Sequence, residues 1–237
     1  MGLLSVEDVT KRYRRGRREF LALRSVSIEV DERELAVVLG ARKSGRSTLL
    51  RIAAGLERPD SGRARFAGVD LARANGIVGR EIAFSHPSFP AVEGEHVLDH
   101  VALPLLAQRS TKREARRAAE RALERASVLA CGAMEPRELN AVERQRVAIA
   151  RGIVAGPRLL VNDDADAGAG HAQTDGLLAL LSSLVHDDGL SVLMSIADAT
   201  RVAGAERVYM LDGGAIRGEV QAPRAQVLPL RPARASR

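Results

Sequence analysis

One stretch of the chain combines residue types and spacing suited to holding phosphate: Gly40-Ala41-Arg42-Lys43-Ser44-Gly45-Arg46-Ser47-Thr48. It follows the pattern G-x-x-x-x-G-K-[ST], with Arg46 where the lysine belongs. The layout has a physical purpose. Small residues let backbone N–H groups face an anion, and the helix that opens at Arg46 adds the positive end of its dipole. A Gly-rich strand–helix turn with no ligand has the same outline, so the rest of the chain must separate the two readings. Elsewhere, Asn162-Asp163-Asp164 places an acidic pair after an apolar run, an arrangement that also occurs at solvent-facing loops. His86 is a lone loop histidine of the kind usually found at surfaces. Cys131 is the only cysteine, which excludes an internal disulfide framework and a cysteine-based metal site.

These residues must be positioned by a core. The 237 residues are 46% hydrophobic but only 3% aromatic, so that core is aliphatic, as suits a Val/Leu/Ala-rich α/β protein. No signal peptide is apparent at the start, and no apolar stretch is long enough to span a bilayer. The cytoplasm is the expected compartment. The formal charge of +6 is concentrated in Lys11–Arg18, in the helix 111–125 and in the tail. Without aromatic residues interleaved among the cations, this does not resemble a single-strand nucleic-acid binder.

The chain punctuates itself clearly. Residues 3–9, 25–30 and 34–39 read as strands, and a helix over 46–56 is followed by the turn Pro59-Asp60-Ser61-Gly62. Strands are expected at 63–66 and 81–84. Helices are expected at 96–107, 111–129 and 143–155, with a basic loop around Tyr13. The run Arg158-Leu159-Leu160-Val161 is a buried-type strand. A helix at 171–186, a strand at 190–196, a helix at 198–204, a strand at 206–211 and a hairpin at Asp212-Gly213-Gly214 complete the pattern. Strands and helices alternate at both ends, while the middle is helical. That argues for a discontinuous α/β lobe with a helical insert: residues 1–86 and 156–221 in the lobe, 87–155 in the insert, and 222–237 as a basic Pro/Arg-rich tail.

With these elements placed, the chain resembles the nucleotide-binding subunit of an ATP-binding-cassette (ABC) transporter over about residues 3 to 220. The most specific stretch is Glu143-Arg144-Gln145-Arg146-Val147-Ala148-Ile149-Ala150-Arg151, similar to the helix after the family's signature motif. Ser61-Gly62 through Gly68-Val69-Asp70-Leu71 resembles the hairpin after the phosphate loop. Val101-Ala102-Leu103-Pro104-Leu105-Leu106 is similar to the subfamily serving lipoprotein-release, macrolide-export and cell-division permeases. The resemblance implies a P-loop NTPase of ABC-cassette fold: a RecA-like lobe with N-terminal antiparallel β-strands and an inserted helical subdomain. It implies ATP and Mg²⁺ as cofactors, and as partners a transmembrane permease and a second ABC subunit, in a homo- or heterodimer. It places the chain on the inner face of the cell membrane through the permease.

Carried onto this sequence, the family's pattern assigns Tyr13 to stacking on adenine and Gly40 to Thr48 to the phosphates. Ser47 and Asp163 fall to Mg²⁺, and Asp164 to the general base. Several positions depart from the pattern. The bulky planar fork of Arg46 replaces a compact ammonium, so charge attraction is expected to persist while γ-phosphate positioning suffers. Pro87 replaces the Q-loop glutamine and offers no carboxamide. The signature Leu-Ser-Gly-Gly-Gln/Glu reads Leu139-Asn140-Ala141-Val142-Glu143, and Val142 obstructs close backbone approach. Asp164 is one methylene shorter than glutamate. Ala169-Gly170 replaces the D-loop pair, and Ala197 replaces a switch histidine. The expected function is a subunit that docks a permease and binds ATP with hydrolysis weak or absent. The alternatives are a fully active transport ATPase and a soluble ABC protein acting on nucleic acid or ribosomes. The latter usually carries two cassettes or large insertions, which this chain lacks.

Overall fold

The chain opens as a long hairpin. β1 (Leu4–Arg15) and β2 (Arg18–Val30) pair antiparallel from Leu4↔Val30 to Arg15↔Arg18 in the computed structural model. The structure describes residues 2–16, 18–74, 76–88, 94–163, 171–197, 202 and 204–221. Lys11 to Arg15 and Arg18 are therefore strand, where a basic loop is the expectation from sequence. Acidic neighbours account for the difference. Lys11 lies 3.4 Å from Glu57 and 3.5 Å from Asp60. Arg14 pairs across from Glu19, and the Arg12 backbone N–H donates to Asp60 at 2.7 Å. β1 also pairs with β4 (Ser61–Phe66), which carries the short β5 (Val69–Asp70), giving an antiparallel sheet of order β2-β1-β4-β5.

The second sheet is built from β3 (Leu35–Leu39), β6 (Ile82–Ser85), β7 (Leu159–Asn162), β8 (Ser191–Ile196), β9 (Arg207–Asp212) and β10 (Ala215–Gln221). Its order is β10-β9-β3-β8-β7-β6, parallel throughout except for β10. β8 is buried along its whole length, as expected of a parallel strand covered on both faces.

Alternate residues of these strands serve two cores. Ala36, Val38, Leu159, Val161 and Leu193 pack on α1 (Arg46–Ala53) and on the antiparallel sheet. Leu35, Val37, Leu160, Val192 and Met194 pack on α5 (His171–Asp188) and on the helical segment. That segment comprises α2 (Val97–Ala107), α3 (Lys112–Arg125) and α4 (Ala141–Ile153). It shares one continuous core with the sheet face, so Val101, Leu123 and Ile149 are buried in the same cluster as Leu160 and Met194. Each such side chain contributes about 1.5–3 kcal/mol of burial.

α3 opens on a Thr111–Glu114 capping box and stops at Arg125, short of the expected 129, because Ser127 takes a left-handed conformation. α4 starts two residues earlier than the sequence suggests, because Asn140 caps it. The helix expected at 198–204 falls largely outside the described residues, as does the 222–237 tail.

Candidate functional site

β3 delivers the chain to Gly40, whose N–H donates to Ile196 O at 3.2 Å. Between there and α1 the loop is tied at several points. Ser44 N donates to Ala41 O at 3.1 Å, and Gly214 N, from the turn between β9 and β10, donates to Ser44 O at 3.0 Å. Gly45 caps α1 with φ 107°, and a Cβ there would collide with the Ala22 carbonyl oxygen of β2. A Cβ on Gly40 would collide with Leu211 O and Ser44 Oγ. Two glycines five residues apart are thus required by packing as well as by motif. The result is a helix N-terminus with no acidic residue in its first turn, fronted by exposed Ala41, Arg42 and Lys43. Such a turn suits an anion. In the same loop, Ser44 Oγ is buried with no hydrogen-bond partner among the described residues. Ser47 is exposed at the start of α1, whereas Arg46 is 7% exposed and Thr48 6%.

Thr48 belongs to a second cluster. Tyr13 Oη lies 3.3 Å from Thr48 Oγ1 and donates to Glu57 Oε1 at 2.5 Å. Arg51 Nε donates to Glu57 Oε2 at 3.0 Å, and its Nη2 reaches Tyr13 Oη at 3.4 Å. Burial pushes the Glu57 carboxyl up, but hydrogen bonds from Tyr13, Arg51 and Lys11 outweigh it and leave the pKa below the usual value. The same contacts raise Arg51 against the effect of its own burial. The Tyr13 ring stacks on Phe20 at 5.4 Å between centroids, with Lys11 Nζ 5.6 Å from its own. Phe20 and Glu57 were not singled out from sequence. Glu57 lies 44 residues from Tyr13 in the chain, and Phe20 meets it only through the register of the β1–β2 hairpin, so residue spacing reveals neither contact.

Across the sheet, Asp163 is 3% exposed at the end of β7. Its Oδ1 accepts a hydrogen bond from Ser195 Oγ at 2.8 Å, and its N–H donates to Ser85 O at 2.9 Å. Ser195 belongs to no motif of its own; the parallel register of β7 and β8 brings it to Asp163. Asp164 and the Ala169-Gly170 pair lie outside the described residues, as does Asp198. Ala197 is exposed. Pro87 is partly buried, and His86 Nδ1 is used within its own loop, accepting from Ser88 N at 3.0 Å.

The signature segment is self-satisfied. Asn140 Oδ1 accepts from Val142 N and Glu143 N at 2.9 and 3.0 Å, while Asn140 N donates back to Glu143 Oε2 at 2.9 Å. This capping box closes the first turn of α4 on itself, so Asn140 Oδ1 is already engaged and a carboxylate sits at the helix start.

The sequence profile of the ABC transporter family matches residues 23–167. The chain belongs to the ABC transporter family. The cassette is 32% identical over 217 residues to the lipoprotein-releasing system ATP-binding protein LolD of Chromohalobacter salexigens, covering 90% of this chain and 92% of that protein. It is also 34% identical over 210 residues to the methionine import ATP-binding protein MetN of Rhizobium etli, covering 84% of this chain but only 57% of MetN. Among solved structures, the dimeric post-hydrolysis state of the cassette MJ0796 bound to ADP and Pi superposes with a TM-score of 0.84. That structure is 26% identical and covers 92% of this chain and 98% of its own. These relatives agree with the fold: a P-loop NTPase cassette of mixed α/β type, in which an antiparallel sheet flanks the parallel one. Among the described residues, no helix of the cassette is long and apolar enough to cross a membrane.

Proposed function

We propose that the cassette docks a membrane permease from the inner, cytoplasmic face of the cell membrane, pairs with a second cassette and binds ATP with Mg²⁺, while hydrolysing it weakly or not at all. The observation that carries this reading is a contrast within one site. The phosphate cradle of Gly40 to Thr48 is tied to β8 through Gly40 and to the β9–β10 turn through Ser44, yet Asp163 already accepts a hydrogen bond from Ser195. Residues 1–86 with 156–221 would form the nucleotide lobe, and 87–155 the helical subdomain whose 88–106 stretch meets the permease.

The residues present fit the ligand. The α1 N-terminus and the loop amides would hold the phosphates, with Arg42 and Lys43 supplying exposed charge. Tyr13, held in place by Glu57 and Thr48, would meet the base. Ser47 and Asp163 would hold the metal, and bound Mg²⁺ neutralises charge on the phosphate oxygens. Against turnover stand the shortened carboxylate at Asp164, alanine in place of histidine at 197, and the capped, valine-bearing start of α4 that would face a partner's γ-phosphate. A fully active transport ATPase is the second reading, favoured by the retained Ser47 and Asp163.

Two measurements on the whole chain test the proposal. Mg-ATP is expected to raise Tm by several degrees, and steady-state turnover with the cognate permease is expected to stay near background. No thermal shift would remove nucleotide binding. Turnover typical of active transport ATPases, abolished by Asp164→Ala, would establish the second reading instead.

A further inference from the structure

Near its end, β8 carries a hydroxyl where its neighbours are apolar. In the run Val192-Leu193-Met194-Ser195-Ile196, Leu193 packs on the α1 side of the sheet, and Ser195, two residues on, shares that face. Ser195 is 0% exposed, and a hydroxyl so deeply buried needs a partner. It finds one in Asp163, donating to Oδ1 at 2.8 Å. A carboxylate acceptor makes this a charge-assisted bond, roughly twice as strong as a neutral one. The backbone of Asp163 is tied as well, through its N–H to Ser85 O at 2.9 Å. The next residue along β8 reaches the phosphate loop, since Ile196 O accepts from Gly40 N at 3.2 Å. Two successive residues of one strand therefore touch the acidic end of β7 and the cradle.

The two residues assigned above to Mg²⁺ differ in access. Ser47 is exposed at the start of α1, whereas Asp163 is 3% exposed. A metal shared by them must be met by Asp163 from within the sheet, against the hydroxyl that holds it there. We propose that Ser195 is a positioning residue that restrains Asp163 and so weakens the coupling between Mg²⁺ and nucleotide. It acts through the carboxylate alone: its proton offsets part of the negative charge on Oδ1, and the bond keeps the side chain in one orientation. The sign sets this apart from an ordinary supporting partner, whose loss lowers metal affinity by about 10–100-fold. Loss of the Ser195 hydroxyl raises it. The inference rests on the reading of Gly40 to Thr48 and Asp163 as a nucleotide and metal site.

The test uses the full chain and two variants of matching outline. Ser195→Thr keeps the hydroxyl, and Ser195→Val puts a methyl in its place, so both share the same added bulk. Calorimetry measures ADP binding in EDTA and again with excess Mg²⁺, and the ratio of the two affinities reports the coupling. Ser195→Val is expected to raise that ratio over Ser195→Thr by roughly tenfold, the scale of one hydrogen bond to a charged group. ADP affinity in EDTA should be the same in both. Adding Asp163→Asn to each should erase the difference. Equal ratios overturn the proposal, and so does a lower ratio in Ser195→Val, which would make the hydroxyl a support. A difference that survives Asp163→Asn overturns it too. Should the added bulk prevent folding, Ser195→Ala is compared with wild type under the same criteria. If the wild-type chain binds no ADP in either condition, the nucleotide-site reading has failed and the proposal falls with it. Binding in EDTA with equal ratios removes the proposal alone.

Discussion

Glu57 has a carboxylate that burial would push toward neutrality, yet it is held charged by Tyr13, Arg51 and Lys11. Its folded pKa therefore lies below its unfolded one. The stabilisation is fully present above the ordinary carboxylate value of about 4.3 and fades as pH falls through the folded value. Glu57→Gln is expected to lower stability by about 1–2 kcal/mol at pH 7, the scale of hydrogen bonds to a charged group. The deficit should shrink below about pH 4, which urea denaturation across pH 3–7 would measure. The same variant loosens Tyr13, so Mg-ATP affinity should fall in parallel. The two effects share one cause, because the hydroxyl that binds Glu57 also lies against Thr48 of the phosphate loop.

The start of α4 shows how one helix terminus can serve either its own stability or an external phosphate. Asn140→Ala removes the acceptor for two amides and is expected to cost about 1 kcal/mol, seen as a drop in Tm of about 2–4 °C. Much of this element was legible in the sequence. Asn140 followed three residues later by Glu143 is a capping-box spacing, and the helix was placed to within two residues of its start. The phosphate loop was legible for a similar reason, since Gly40 and Gly45 carry their geometry in their type. Three features were not. The β1–β2 hairpin continues through Lys11 to Arg15 because acidic partners lie across from it, and no apolar alternation announces such a strand. The Ser195–Asp163 bond spans 32 residues and exists only through strand register. Arg151 sits in the most family-like stretch of the chain, yet the lack of a partner for its buried Nε among the described residues is a property of its surroundings, which no residue pattern encodes.

At the scale of the molecule, Arg207 fastens the two sheets. It reaches Glu34 at 2.9 Å, Asp31 at 3.3 Å and Glu219 at 3.2 Å, while Tyr209 Oη donates to Glu29 O of β2 at 2.8 Å. Glu34 is 1% exposed, so Arg207→Met strands a buried charge, and a loss of about 3–5 kcal/mol is expected. Adding Glu34→Leu should recover at least half of it, which paired chemical denaturation curves would show. The same inter-sheet junction bears on the phosphate loop. Ala22 of β2 presses on Gly45 and on Gly214, and Gly214 in turn bonds to Ser44 and to Arg24, so backbone contacts help to set the shape of the cradle. A loop built this way has little disorder left to lose when an anion arrives. Amide hydrogen exchange at Gly40, Ser44 and Leu49, whose N–H groups are bonded within the protein, should therefore be slow before nucleotide is added and change less than threefold after it. The slowing that usually reports a ligand-ordered loop would then be missing, and affinity would be set by charge and fit rather than by the work of folding the loop around its guest.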